Sequence, residues 1–156
     1  MTDEDRSPEL AARLGMSTDE FVHLFGAGWT EIHSLPSHDF DADPSGGLEG
    51  DVTPWMISGR PPQLMIRVFD YWVHLARPVG SWDGPGGLEY RPAGLVSISR
   101  PDFEDPHLHD TIKDLEQRRR KEFRYCGMCR EAKAPEERMT ATLCYGCASA
   151  WEGVVY

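Results

Sequence analysis

Cys126-Gly127-Met128-Cys129 and Cys144-Tyr145-Gly146-Cys147, with fourteen residues between them, are the part of this chain whose residue types and spacing point most directly to chemistry. Two thiolates separated by two residues can grip one tetrahedral ion from a tight turn, and two such grips complete a four-sulfur zinc site. Gly127 and Gly146 ease the backbone turns that aim both sulfurs of each pair inward. Four protein ligands leave the ion no open position, so the expected zinc is structural rather than catalytic. A redox site would instead need one pair to open a helix after a strand in a βαβ unit, and the sequence does not alternate that way. All four cysteines fall in the last 31 residues. In a reducing cytoplasm, where disulfides are disfavoured, such cysteines are metal ligands more often than bridges.

The elements around the cysteines can be read from local signals. The first pair is expected on a turn between short strands and the second in the first turn of a helix through Ala148, Ser149, Ala150, Trp151 and Glu152. Arg124, Arg130, Lys133 and Arg138 surround the thiols and can offset the double negative charge of a tetrathiolate zinc centre. Met139, Leu143, Trp151, Val154 and Val155 are expected to give the unit its own apolar layer and to dock it on the preceding helix. That helix should start at Asp105-Pro106 and run to about Phe123, the longest in the chain, with Leu108, Ile112, Leu115 and Phe123 on one narrow apolar face. Asp110, Asp114 and Glu116 precede Arg118-Arg119-Arg120-Lys121, an order that suits the helix dipole. The basic run is therefore read as a solvated helix end beside a negative metal site. His107-x-His109 is a poor ligand pair, because residues two apart on a helix point to different sides.

The cysteine-bearing tail, over about residues 123–156, resembles a treble-clef zinc finger. The resemblance implies one structural zinc on Cys126, Cys129, Cys144 and Cys147. The stretch Leu143-Cys144-Tyr145-Gly146-Cys147-Ala148, ending in Gly153-Val154-Val155-Tyr156, also resembles the C-termini of small bacterial immunity proteins of polymorphic toxin systems. That resemblance covers roughly the last 35 residues and implies a cytoplasmic inhibitor that neutralises a toxin by tight binding, without catalysis.

The body before the tail is read as α+β: mostly helical, with a few short strands and long loops. The expected segments are an acidic body over 1–104, a connecting helix over 105–125 and the zinc module over 126–156. Ser7-Pro8 opens a first short helix that Gly15 stops, and Ser17 and Glu20 have capping-box spacing for a second. Ala11, Gly15 and Phe21 have the spacing of a helix-turn-helix, but Asp19 and Glu20 sit where a recognition helix needs groups that face phosphates. Residues 61–76, the most apolar stretch, place Leu64, Met65, Val68, Phe69, Trp72, Val73 and Ala76 at steps of one, three and four, which predicts a core helix ended by Pro78. Their β-branched and aromatic content also suits a strand. His74 falls off that stripe and is expected to face solvent, and Leu95-Val96-Ser97-Ile98-Ser99 alternates as a strand does.

Two loops are expected. In 36–53, Asp39-x-Asp41-x-Asp43 imitates a calcium loop, yet Pro44 stands where Gly is needed and Gly50 where the bidentate Glu belongs. The three acids are instead candidate contacts for a partner. In 80–87, Trp82 is a candidate anchor for a protein partner, or a lid folded back on the core.

Charge narrows the function. With 16 Lys+Arg against 26 Asp+Glu the chain is at −10, and four thiolates plus one divalent ion take it to about −12. Residues 1–100 hold 15 acids and 7 bases, whereas 101–156 hold 11 and 9, so the excess belongs to the body. That distribution argues against nucleic acid and for a basic protein partner. An apolar content of 40% supports a core, and no run is long enough to span a bilayer. An acidic N-terminus is unlike a signal peptide, so the cytoplasm is the expected compartment. No nucleophile–base pair or phosphate-cradling glycine loop is readable, and the histidines are scattered. The expected function is a non-catalytic protein-binding protein, most concretely an immunity protein or antitoxin. The alternative is a zinc-finger transcriptional regulator with a helix-turn-helix-like start.

Overall fold

The most apolar stretch of the chain is extended rather than helical. In the computed structural model, which describes residues 4–32, 54–82 and 87–152, it forms strand β3 (Leu64–Val68) and the start of β4 (Trp72–Trp82). Asp70 and Tyr71 make the turn between them, closed by a hydrogen bond from Phe69 N to Trp72 O at 2.9 Å. All five residues of β3 are buried, so both faces of the strand are covered and the apolar/polar alternation that marks a half-exposed strand is missing. The helical spacing of the apolar residues is a coincidence of a two-sided strand and its hairpin turn.

β3 and β4 sit inside a five-stranded antiparallel sheet in chain order, with β1 (Trp29–Glu31), β2 (Met56–Ser58) and β5 (Leu88–Ser99). This sheet overturns the mostly helical body expected from sequence. β5 is also more than twice the expected strand 95–99, and β4 continues through Gly80 to Trp82, where a loop was expected. Beyond Ala76, β4 pairs with β5 alone, so the outer part of the hairpin is a two-stranded arm. Pro78 opposes Pro92 there, where a missing N–H interrupts no third strand. The arm begins where the register slips by one residue between Leu75 and Arg77, and Gly94 supplies the left-handed φ of 64° that such a bulge needs.

One face of the sheet carries the main core. Met56, Ile66, Val73, Leu75 and Ile98 pack there against α1 (Ser7–Arg13), α2 (Thr18–Phe25) and α3 (His107–Arg120). The two N-terminal helices and the long third helix fall where the sequence places them. Ser17 Oγ accepts from Glu20 N at 3.2 Å, and Gly15 ends the first helical turn region at φ 68°. Asp5 Oδ1 collects Ser7 N at 2.9 Å, Ser7 Oγ at 2.5 Å and Trp29 N at 3.1 Å, so one carboxylate ties the entry of α1 to β1. Phe25 meets Phe103, of the 3-10 helix Arg100–Glu104, edge to face at 5.3 Å between ring centroids.

The opposite face holds a smaller cluster of Trp55, Met65 and Ala76. His74 belongs to this face rather than to solvent: its ring lies 4.9 Å from Phe69 and 6.4 Å from Trp55. Asp39, Asp41 and Asp43 lie outside the described residues. Among the described residues no helix is long and apolar enough to cross a membrane.

Candidate metal centre

The last element group is built for the cysteines. Strands β6 (Arg124–Tyr125) and β7 (Ala132–Lys133) form a two-stranded ribbon whose turn carries Cys126 and Cys129, while Cys144 directly precedes α4 (Tyr145–Glu152) and Cys147 lies in its first turn. Arg130 N donates to Cys126 O at 2.9 Å and Cys126 N to Glu131 O at 3.0 Å, which closes the first turn, with Arg130 itself at φ 60°. Gly127 N donates to Thr142 O at 2.7 Å, and a Cβ on Gly127 would meet that oxygen at 3.2 Å, so glycine permits the two cysteine loops to touch.

The four sulfurs lie within 4.8 Å of one another. Sulfurs at the corners of a zinc tetrahedron with Zn–S bonds of about 2.3 Å stand roughly 3.8 Å apart, so the cluster needs only a small contraction to hold an ion. Its donors are already oriented for thiolates. Met128 N points at Cys126 Sγ at 3.4 Å, Cys144 N at the same sulfur at 3.5 Å, and Cys147 N at Cys144 Sγ at 3.4 Å. Backbone N–H donors, first that of Cys129 and then that of Cys144, hold the Cys126 thiol well below its ordinary pKa. Cys147 is pushed the other way, first by its hydrogen bond to the Cys144 sulfur and then by burial. Four convergent thiols of this kind can bind a metal ion such as zinc.

The surrounding cations act differently from expectation. Arg124 Nη1 donates to Lys121 O at 2.6 Å and Phe123 O at 2.8 Å, and Arg138 Nη2 to Glu122 O at 3.2 Å, so both turn to the carbonyl end of α3. Lys133 pairs with Glu131 at 3.0 Å, and that bond, with the neighbouring Cys129 as a lesser contributor, raises its pKa.

Of the apolar layer read from the sequence, Met139 is 41% exposed and Leu143 half-buried, while the side chains of Trp151, Val154 and Val155 lie outside the described residues. Among the described residues, docking centres on a polar contact of Glu136, in the 3-10 turn Pro135–Glu137. Glu136 is 3% exposed and meets the fully buried guanidinium of Arg119 in a two-pronged pair, with Nη1 3.1 Å from Oε2 and Nη2 on Oε1. Arg119 Nε donates to Pro62 O at 2.9 Å, and its guanidinium stacks 5.2 Å from the Phe123 ring centroid. Tyr90, on the β5 arm, lies within electrostatic reach of Glu136. Burial, followed by the Glu136 charge, raises the Tyr90 pKa above that of an ordinary phenol. The basic run at the end of α3 is therefore only partly a solvated helix end.

Trp82 sits on this seam. Its Nε1 donates to Glu136 O at 2.9 Å and its ring meets Tyr145 at 67° and 5.7 Å, while 54% of the residue stays exposed. Glu136 and Tyr90 went unnoticed in the sequence, Arg119 was read there only as part of a solvated basic run and Gly80 only as the start of a loop. A usable signal was present for Arg119, which follows Leu108, Ile112 and Leu115 at helical spacing and so extends the buried stripe of α3. No known protein family, curated protein or solved structure matches this chain, and the likeness of its tail to immunity proteins gains no support from them.

Proposed function

We propose that the chain is a non-catalytic cytoplasmic protein-binding protein, most concretely an immunity protein or antitoxin that neutralises a basic toxin by binding, with one structural zinc on Cys126, Cys129, Cys144 and Cys147. The observation that carries this reading is the closure of the thiol cluster: four sulfurs gathered within 4.8 Å fill a tetrahedral ion and leave it no position for substrate. Zinc is favoured because soft thiolates in a tetrahedral set select it and because it does no redox chemistry of its own. The buried Arg119–Glu136 pair then makes the module a brace for the sheet. Partner binding is supported by the −8 carried by residues 1–100 and by large apolar side chains left open, among them Tyr71 at 72% and Trp82 at 54%.

The regulator reading draws little from α2, whose first turn carries Asp19 and Glu20 and whose Phe21 and Phe25 are buried. The deciding experiment is functional. The product of the neighbouring reading frame is expressed alone and together with this chain. Growth arrest that this chain relieves by forming a stable complex is the expected result. Tight, salt-sensitive retention of random duplex DNA by the purified chain, with no relief of arrest, would replace immunity with regulation.

A further inference from the structure

Between α2, the 3-10 helix Arg100–Glu104 and the start of α3 lies a cleft of about 720 Å³. Its apolar lining comes from Met16 and Leu24 on one side and from Phe103 and Leu108 on the other. Phe103 and Leu108 are buried in the main core, with Met16 and Leu24 packed against it, so the floor is fixed by the fold. Glu20, Glu104 and Asp105 stand exposed around this floor, with Arg100 the one arginine or lysine of the lining. His23 of α2 and His109 of α3 also line it.

We infer that this cleft is the docking groove for a cationic amphipathic helix of a protein partner. The inference rests on the binding function proposed above and names its surface. A helix entering beside α2 and α3 would bury apolar side chains spaced at i and i+3 or i+4 on the floor. Lysines and arginines flanking that stripe would meet Glu20 on one wall and Glu104 and Asp105 on the other. An acidic helix would meet the same carboxylates and be repelled. Charge complementarity therefore selects the occupant, and the exposure of the rim carboxylates leaves them free to steer the encounter.

The test uses the zinc-loaded full chain and two labelled synthetic amphipathic helices of equal length, one of leucine and lysine and one of leucine and glutamate. Fluorescence anisotropy is expected to show at least about ten-fold tighter binding of the lysine peptide. The rim double variant E20K/E104K should lose about ten-fold or more of that affinity, and E20Q/E104Q should lose a smaller part of it. The control pair E9K/D114K makes the same change of net charge at exposed positions outside the cleft and should lose less than about two-fold. Equal losses for rim and control, or no binding of the lysine peptide, would overturn the groove. The toxin-rescue assay separates this failure from failure of the binding function: a rim double variant that still rescues fully removes the groove but keeps immunity, whereas absence of rescue by the wild-type chain removes immunity itself.

Discussion

Arg119, at the end of α3, and Glu136, in the cysteine-bearing module, form an ion pair whose side chains are 1% and 0% exposed. Each group would be costly to bury alone, and the pair is tolerated because the two side chains meet in two parallel contacts and Arg119 Nε also donates to Pro62 O, with Tyr90 nearby on the arm. A single contact thus joins four parts of the fold: the long helix, the β2–β3 turn, the outer arm of the sheet and the metal module. Among the described residues, this buried ion pair is a principal tie between the cysteine-bearing module and the body.

Removing Arg119 strands the Glu136 carboxylate in a buried site, and removing Glu136 leaves the buried Arg119 only the more exposed Glu122, 3.9 Å away. Arg119→Met should destabilise the chain by about 3–5 kcal/mol, and Glu136→Leu by a similar amount. The double variant R119M/E136L should be clearly less damaging than the sum, because neither stranded charge remains. Urea unfolding of the four proteins, assembled as a double-mutant cycle, measures this. Additive effects would show that the pair is not energetically coupled.

Tyr90 gives the seam a dependence on alkaline pH. Its folded pKa is raised by burial and by Glu136, so the folded protein holds the phenolic proton more tightly than the unfolded chain does. The associated stability is complete below the unfolded phenol value of about 10 and is lost as pH rises through the higher folded value. Unfolding midpoints should therefore fall above about pH 10. Tyr90→Phe should flatten that fall and leave the stability at neutral pH within about 1 kcal/mol of the parent. An identical alkaline profile in the phenylalanine variant would assign the loss to other groups.

What the sequence disclosed and what it hid divide by range along the chain. Ser17 on Glu20 N, Gly15 at positive φ and both cysteine pairs are local devices, and each was legible because the signal and its structural effect lie within a few residues. The sheet was not. β3 buries Leu64, Met65, Ile66, Arg67 and Val68 together, so burial on two faces erased the period that distinguishes strand from helix. Glu136 was equally silent, since its partners Arg119 and Tyr90 stand 17 and 46 positions away and only the folded β4–β5 arm brings them together. Arg119 was hidden by its neighbours: a run of three arginines reads as surface, although the middle one continues the apolar stripe.

At the other end of the molecule, Asp5 should govern behaviour in acid. Burial works to raise its pKa, but donors from Ser7, Gly28 and Trp29 together outweigh that and lower it. The stabilisation is present above the unfolded value near 3.8 and is lost as pH falls through the lower folded one. Asp5→Ala should cost about 1 kcal/mol at neutral pH, as loss of a helix cap does, and remove part of the acid dependence. Thermal melts at pH 7 and pH 3 compare the two proteins. An unchanged pH 7 midpoint would show that the α1–β1 tie contributes little.

Metal removal should be felt outside the module. Purified protein is expected to carry about one zinc per chain, and Cys126→Ser or Cys144→Ser, at the two buried sulfurs, should abolish loading. Because thiols must lose protons to bind the ion, zinc uptake should release protons and weaken as pH falls. Chelation should lower the unfolding midpoint of the β4–β5 arm as well, since Glu136 is presented by the folded module. Hydrogen exchange at residues 77–82 and 88–93, with and without chelator, reads this directly. Protection that survives full zinc loss would show that the arm stands without the metal.

Gly80 offers the sharpest steric test of the docking. A Cβ built there lies 2.8 Å from the Cβ, Cγ and Cδ of Glu136, closer than any relaxed contact. Glu136 cannot swing aside cheaply, because Arg119 holds both of its carboxylate oxygens and Trp82 Nε1 binds its carbonyl oxygen. Gly80→Ala must therefore either bend the arm or push the module away from α3, at a cost of about 1–3 kcal/mol typical of overpacking. Gly87→Ala, just before β5, is the matched control, since its Cβ would meet nothing within 4 Å. The expected outcome is a lower unfolding midpoint and quenching-accessible Trp82 fluorescence in Gly80→Ala, with both close to wild type in the control. A Gly80→Ala protein as stable as the parent would mean that the arm and the module do not press together as closely as these distances require.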